Sequence, residues 1–169
     1  MSNQDRAGPY SGGIEAAVIR LSKLADYGIV IATHLARHPD RQQTAPEVAG
    51  ATSVPQPMTS KILKQLVRGD VLVSHRGARG GYGLARPAEQ ITVADVIEAL
   101  DGPIALTSCI DPGPSDCGIL SLCPTRANWQ RINHAIRDAL DGVTLAEMAH
   151  SIPTAFLLPE ERSSVNARL

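Results

Sequence analysis

The chain has 169 residues, 43% of them hydrophobic, and a formal net charge of −1. This length suits one compact domain with a short extension, and the balanced charge means that only a local concentration of charge could indicate nucleic-acid binding. No apolar run is long enough for a signal peptide or a membrane-spanning helix, so we expect a cytoplasmic protein with no membrane partner. In that reducing compartment the three cysteines are not expected to form structural disulfides.

The first half of the chain predicts two helices with defined starts. Ser22 can cap the first helix, whose apolar residues recur every three or four positions until Pro39 ends it. Thr44 and Glu47 have the spacing of a capping box, so they predict the start of a short second helix that ends near Gly50. A short polar loop joins the two.

A third helix and a hairpin follow directly. The prolines within 55–57 fit only the first turn of a helix, which carries an apolar stripe and ends at Gly69. The β-type runs 71–73 and 82–84 are joined by a basic, glycine-rich turn and predict a β-hairpin. A capped helix, a tight link, a second helix and a basic hairpin are typical of a winged helix–turn–helix.

Positive charge is concentrated in this region. Between Met58 and Arg86 there are six Lys or Arg residues and one acidic residue, which leaves a local charge of +5 in a chain of net −1. Such a patch releases counterions from a phosphate backbone and can bind double-stranded operator DNA, although a basic face can also be merely solvated. The residues expected to contact DNA are Thr59, Ser60, Lys61 and Lys64 on the outer face of the helix and Arg76 and Arg79 on the wing.

The second half of the chain predicts two more helices separated by a loop. Thr92 caps a helix that Gly102 ends, and a helix of about four turns starts at Thr125. The apolar stripe of this long helix could pack on its own domain or form an interface; its candidate interface residues are Trp129, Ile132 and Ile136.

All three cysteines lie in the loop at 104–124. They are Cys109, Cys117 and Cys123, separated by seven and five residues. Structural zinc sites take four ligands with close Cys pairs, which this loop lacks, whereas thiolates spread over a loop can hold an iron–sulfur cluster. The spacing favours a cluster but leaves zinc, redox thiols and inert cysteines as alternatives. The sequence has no Cys-x-x-Cys motif, and no general base is evident near the cysteines, so we do not expect an enzyme or a small-molecule substrate.

Several segments together resemble the IscR, NsrR and RirA type of winged-helix regulators. They are RLSKLADYG at 20–28, HRGARGGYGL at 75–84, TVADVI at 92–97 and the cysteine loop, and the resemblance spans about residues 19–150. The runs VSHRGA at 73–78 and WQRIN at 129–133 are similar to the subgroup that regulates the sulfur-mobilisation (Suf) pathway of cluster assembly.

The resemblance implies a homodimer with a cluster near the partner's DNA-binding half. Some relatives supply a fourth cluster ligand as a histidine three residues after the last cysteine, where this chain has Arg126, which cannot ligate iron. Others use an acidic residue in the first helix, a position that Asp26 occupies. The resemblance therefore implies an iron–sulfur cluster held by the three thiolates and by Asp26 of the partner subunit, with 4Fe–4S favoured over 2Fe–2S. Asp26 could equally be an exposed residue without a role.

These observations predict a mainly α fold: a winged helix–turn–helix with a two-stranded β wing and a long C-terminal dimerisation helix. The predicted divisions are a disordered arm at 1–17, the DNA-binding domain at 18–103, the cluster-binding loop at 104–124, the dimerisation helix at 125–150 and a flexible tail at 151–169. The predicted function is an iron–sulfur-sensing transcription regulator that controls the Suf genes. The alternatives are a nitric-oxide- or iron-responsive repressor of the same family and a winged-helix repressor with zinc or a thiol switch.

Overall fold

The structure, a computed structural model, describes residues 20–77, 80–110, 117 and 122–150. The predictions for the arm at 1–17, the tail at 151–169, the wing residue Arg79 and most of the cysteine loop lie outside these residues. The chain is mainly helical, with one two-stranded antiparallel hairpin in its described part. This confirms the predicted fold class. None of the helices in the described ranges is both long and apolar enough to span a membrane.

The N-terminal helices begin where local capping predicts. Helix α1 (Lys23–Ala36) is capped by Ser22, whose Oγ accepts from the backbone N–H of Ala25 at 3.0 Å. Helix α2 (Ala45–Thr52) starts after Thr44, whose backbone N–H donates to the Glu47 carboxylate at 2.7 Å. It ends two residues later than expected, because the chain turns only at Ser53, which takes the left-handed conformation with φ 57°.

The next elements form the wing and its supporting helices. Helix α3 (Gln56–Arg68) leads into strand β1 (Leu72–His75), which pairs antiparallel with strand β2 (Gly81–Leu84). The register places Leu72 opposite Leu84 and His75 opposite Gly81. A short 3₁₀ turn (Ala88–Gln90) then leads to helix α4 (Val93–Asp101), capped by Thr92.

Helix α5 (Arg126–Asp141) follows the cysteine loop, and helix α6 (Leu145–His150) returns to the N-terminal body. The backbone N–H of Leu145 donates to the carbonyl of Ile91 at 2.8 Å, and the Leu145 side chain is fully buried. The end of the described chain is therefore anchored to the start of α4.

One aliphatic core joins α1, α2, α3, β1, α4 and α6. Its fully buried members with 0% exposure include Ile31, Val48, Ile62, Leu63, Leu66, Val71, Ile91, Val96 and Leu145. A second, smaller cluster of Ala25, Val93 and Ile97 lies between α1 and α4, with Ile104 and Leu140 packed against it. Helix α3 contributes its inner face to the first cluster, and α5 contacts the second cluster through Leu140. The opposite faces of α3 and α5 are exposed.

Candidate DNA interface and cysteine centre

The outer face of α3 is cationic because its apolar residues turn inward. Ile62, Leu63 and Leu66 are fully buried, whereas Lys61 and Lys64 are exposed and make no ion pair with any other described residue. A shallow open groove runs along this face; it is lined by Pro57, Ser60, Lys61, Lys64, Gln65 and Arg68. The structure thus brings three of the predicted DNA-contacting residues onto one accessible surface.

The prediction that Thr59 contacts DNA is wrong. It was expected on the outer face of α3, but its side chain is fully buried. Its hydroxyl donates to the carbonyl oxygens of Val54 and Pro55, at 3.2 and 3.3 Å. Position 59 faces back onto the link between α2 and α3, so Thr59 holds the start of α3 in place and is not available for a base or a phosphate.

The wing presents Arg76 to solvent at the end of β1. The chain turns immediately afterwards at Gly77, whose φ of 115° is a conformation that side chains disfavour. The backbone N–H of Gly80 donates to the carbonyl of Gly77 at 2.9 Å. A Cβ at Gly80 would lie 2.3 Å from the carbonyl oxygen of His75, so this tight turn also needs glycine there.

The base of the wing is held by a residue that sequence reasoning missed. The backbone of Gln43 exchanges two hydrogen bonds with Tyr82 on β2, at 3.1 and 2.8 Å. Gly81 is required beside this pairing, because a Cβ there would come within 2.7–2.9 Å of the Gln43 backbone. Gln43 lies in the segment for which the sequence predicts a polar loop. Its local sequence pattern gives no sign of a contact with a residue 39 positions away.

The cysteines are not disulfide-bonded, and each is partly exposed. The Cys109 sulfur lies 3.1 Å from the Thr107 hydroxyl, and the Cys123 sulfur lies 3.4 Å from the Thr125 hydroxyl. Within the described residues of this single chain, no three His, Cys, Asp or Glu side chains are grouped closely enough to hold a metal ion. The structure therefore does not bring Cys109, Cys117 and Cys123 together.

Cys123 has the electrostatic surroundings of a reactive thiol. The hydrogen bond from the Thr125 hydroxyl is the main cause that lowers its pKa below the usual thiol value. The backbone N–H groups of Thr125 and Arg126 and the positive charge of Arg126 lower the pKa further. Cys123, just before α5, is therefore ionised to a greater extent than an ordinary thiol, and the thiolate is the form that binds metals and reacts with oxidants.

Asp26 is exposed on the first turn of α1. An acidic residue in the first turn stabilises a helix through its interaction with the helix dipole. The position of Asp26 is therefore explained without a role as a cluster ligand. His34 lies about two turns further along α1 and is buried.

Two residues of the apolar stripe of α5 are exposed in the part of the chain that the structure describes. Trp129 and Ile132 are 39% and 45% exposed, and α5 has no buried residue. Ile136 is half-buried. Among the described residues, Leu140 near the end of α5 packs against the second cluster, whereas Trp129 and Ile132 are left exposed.

Comparison with known proteins places this arrangement in a family. A family model described as "Rrf2: Iron-dependent Transcriptional regulator" matches residues 21–151. The helix–turn–helix-type transcriptional regulator Rv1287 of Mycobacterium tuberculosis is 33% identical over 135 residues, which cover 78% of this chain and 81% of the relative.

Two solved structures are also similar. CymR, the global cysteine regulator of B. subtilis, is 26% identical, with a TM-score of 0.63 over 80% of this chain and 99% of CymR. IscR of T. potens is 26% identical, with a TM-score of 0.61 over 83% of this chain and 93% of IscR. The relatives are transcription regulators and not enzymes, as expected from the sequence. With a winged helix–turn–helix and a family match over most of its length, the chain belongs to the Rrf2 family of transcriptional regulators.

Proposed function

We propose that this Rrf2-family protein is a homodimeric, DNA-binding regulator that senses an iron–sulfur cluster held by its cysteine loop. The observation that carries the proposal is the placement of three cysteines without disulfides in the segment between α4 and α5, with one thiol biased toward the thiolate. The cationic α3 face and the wing bind operator DNA, and the presence or absence of the cluster in the cysteine loop changes the affinity for that DNA.

The DNA-binding part rests on charge and exposure. Lys61 and Lys64 flank a groove on α3, and Arg76 extends the cationic surface to the wing. Each can neutralise a phosphate, while Ser60 can bond to a phosphate or a base edge in the major groove. Arg79, which the sequence predicts to belong to the wing, is proposed to enter the minor groove beside Arg76. A dimer would place two such surfaces on two half-sites.

The dimer part rests on the exposed stripe of α5. Trp129, Ile132 and Ile136 form an apolar row on α5, in which the described residues leave Trp129 and Ile132 exposed and Ile136 half-buried. Large exposed apolar side chains in a row mark an interaction surface. A second copy of α5 covers this row in the proposed dimer, which carries the two cysteine loops close to the twofold axis.

The donor chemistry of the loop fits an iron–sulfur cluster, which thiolates hold. Cys123 is already biased toward the thiolate, and Cys109 and Cys117 are partly exposed and so accessible. The three sulfurs are not grouped within the described residues of one chain, so cluster binding requires them to come closer together. The exposed Asp26 of the partner subunit supplies the fourth ligand in this proposal, and three thiolates with one carboxylate favour 4Fe–4S over 2Fe–2S.

In this proposal, the cysteine loop senses the signal through a change in how firmly its position is restrained. When the cysteines are engaged, the loop is fixed against α5 and against the partner's α1, and this sets the separation of the two α3 helices on DNA. When they are released, that restraint is lost and the operator affinity changes. The resemblance at 73–78 and 129–133 favours Suf genes as the targets; a nitric-oxide- or iron-responsive repressor uses the same residues.

Anaerobic purification tests the proposal. We expect iron, acid-labile sulfide and visible absorbance in the protein, and loss of all three in Cys109→Ser, Cys117→Ser and Cys123→Ser. Asp26→Ala should lose the cluster faster in air than Asp40→Ala, a matched change at another exposed aspartate. Protein without iron and sulfide after anaerobic purification would end the cluster proposal and leave a DNA-binding regulator.

A second candidate is a thiol switch, which the lowered pKa of Cys123 favours. The solved relatives include an oxidised form of CymR from Staphylococcus aureus. Metal analysis separates the two candidates, and also detects zinc. A thiol switch predicts metal-free protein whose operator affinity changes on mild oxidation, with an oxidative mass increase on the peptide that contains Cys123.

A further inference from the structure

The side chain of Asn133 on α5 binds the backbone at the start of the cysteine loop. Its Nδ2 donates to the carbonyl of Ile104 at 2.8 Å, and its Oδ1 accepts from the N–H of Leu106 at 3.1 Å. A carboxamide carries both a donor and an acceptor, so a single side chain satisfies two backbone groups on either side of Ala105. Neither a hydrocarbon nor a carboxylate side chain can make this pair of bonds.

The bound segment lies where the loop leaves the packed body. Ile104 packs against the small cluster of Ala25, Val93 and Ile97, which joins α1 to α4. Helix α5 is itself attached to α4 by the ion pair of Arg137 with Glu98 at 3.2 Å. The start of the loop is thus fixed relative to both α1 and α5.

Two residues, 107 and 108, separate Leu106 from Cys109. Leu106 precedes a turn in which the N–H of Ile110 donates to the carbonyl of Thr107 at 3.0 Å. The Thr107 hydroxyl lies 3.1 Å from the Cys109 sulfur. This turn therefore connects Cys109 to Leu106, the residue whose N–H Asn133 binds.

We propose that Asn133 is a positioning residue that couples the state of Cys109 to helix α5. It lies one turn after Trp129 and next to Ile132, so a change in its two hydrogen bonds acts on the exposed apolar row of α5. This inference rests on the proposed function, in that it assumes a loop that signals to DNA through the dimer. It does not require the signal to be a cluster.

The test compares Asn133→Ala with Asn128→Ala in the full chain. Both changes put Ala on α5, where it favours the helix, and the exposed side chain of Asn128 makes no hydrogen bond with another described residue. Hydrogen exchange of the Leu106 amide in cluster-free protein should accelerate about tenfold in Asn133→Ala, as expected for the loss of this partly buried hydrogen bond. Asn133→Asp keeps the acceptor for Leu106 and loses the donor to Ile104, so its effect should be smaller.

The second measurement is the ratio of operator affinities before and after the cysteines are alkylated with N-ethylmaleimide, which needs no iron. We expect a ratio clearly different from one in the wild type and in Asn128→Ala, and a ratio close to one in Asn133→Ala. Unchanged exchange would show that the bonds do not form in solution. Faster exchange with an unchanged ratio would reduce Asn133 to a structural role, and a wild-type ratio of one would show that the loop does not signal to DNA; either overturns the inference. Absence of iron instead refutes only the cluster proposal.

Discussion

The Nε2 atom of His34 on α1 lies 2.8 Å from the Oε1 atom of Gln43, and both side chains are buried. His38 contacts the His34 ring edge-on, with 5.2 Å between the ring centroids. Since the Gln43 backbone pairs with Tyr82 on β2, this side-chain contact fixes the wing relative to α1. The angle of the wing is thus set by a residue outside the hairpin itself.

Gln43→Ala should therefore destabilise the domain. It leaves the buried His34 ring nitrogen without this partner, and the loss of one partner in a buried hydrogen bond costs about 1–3 kcal/mol of unfolding free energy. Urea denaturation measures the change, and Gln42→Ala at the neighbouring exposed position is the control. Equal midpoints for the two variants would show that the contact does not contribute to stability.

The cationic face of α3 predicts a change in salt dependence. Lys61→Ala and Lys64→Ala each remove an exposed charge that has no ion-pair partner among the described residues. Each lost phosphate contact should reduce the magnitude of the slope of log K against log salt by about 0.9. Titrations of operator DNA at several salt concentrations measure it. Lys23→Ala on α1 should leave the slope unchanged; an equal effect there would place DNA on another surface.

The lowered pKa of Cys123 predicts its reactivity. Because hydrogen bonding stabilises the thiolate, the rate of alkylation by iodoacetamide should reach half its maximum at a lower pH than for an ordinary thiol. Thr125→Val removes the hydroxyl and should move this midpoint to higher pH, whereas Thr125→Ser should keep it low. Peptide mass spectrometry against pH assigns the rate to Cys123. A midpoint that is the same in Thr125→Val and the wild type would rule out the hydroxyl as the cause.

The exposed stripe of α5 predicts a change in oligomeric state. Ile132→Glu puts a charge in the middle of the proposed dimer interface and should shift the protein toward monomer, because an unpaired charge is costly to bury. Sedimentation velocity measures the distribution. Gln130→Glu adds the same charge on the same helix beside the stripe and should remain dimeric. A dimer that tolerates Ile132→Glu would need a different interface.

Gly28 predicts a stability effect from packing. A Cβ at this position would lie 2.1 Å from Cδ1 of Leu100 on α4. Gly28→Ala should therefore lower the unfolding free energy by about 1–3 kcal/mol, as overpacking does. Gly50→Ala, in α2 with open space around it, should instead gain up to about 1 kcal/mol. Thermal denaturation of the two variants distinguishes them, and a stabilised Gly28→Ala would mean that the Leu100 side chain makes room for the added methyl group.

The sequence by itself determined the helix starts and the winged helix–turn–helix pattern. Ser22, Thr44 and Thr92 cap helices through partners three residues away, so their signals lie within one turn of the chain. The inward stripe of α3 is equally local, because its period matches the helix. The positions of Lys61 and Lys64 on the exposed face follow from that stripe.

Only the tertiary structure decided how these elements are joined. Thr59 is buried because the α2–α3 link passes over the first turn of α3, a contact that helical period does not reveal. Gln43 reaches the wing, and Asn133 reaches the start of the cysteine loop, through hydrogen bonds between residues 39 and 27–29 positions apart. Polar pairs so far apart leave no periodic trace, because each depends on the path of the backbone between them.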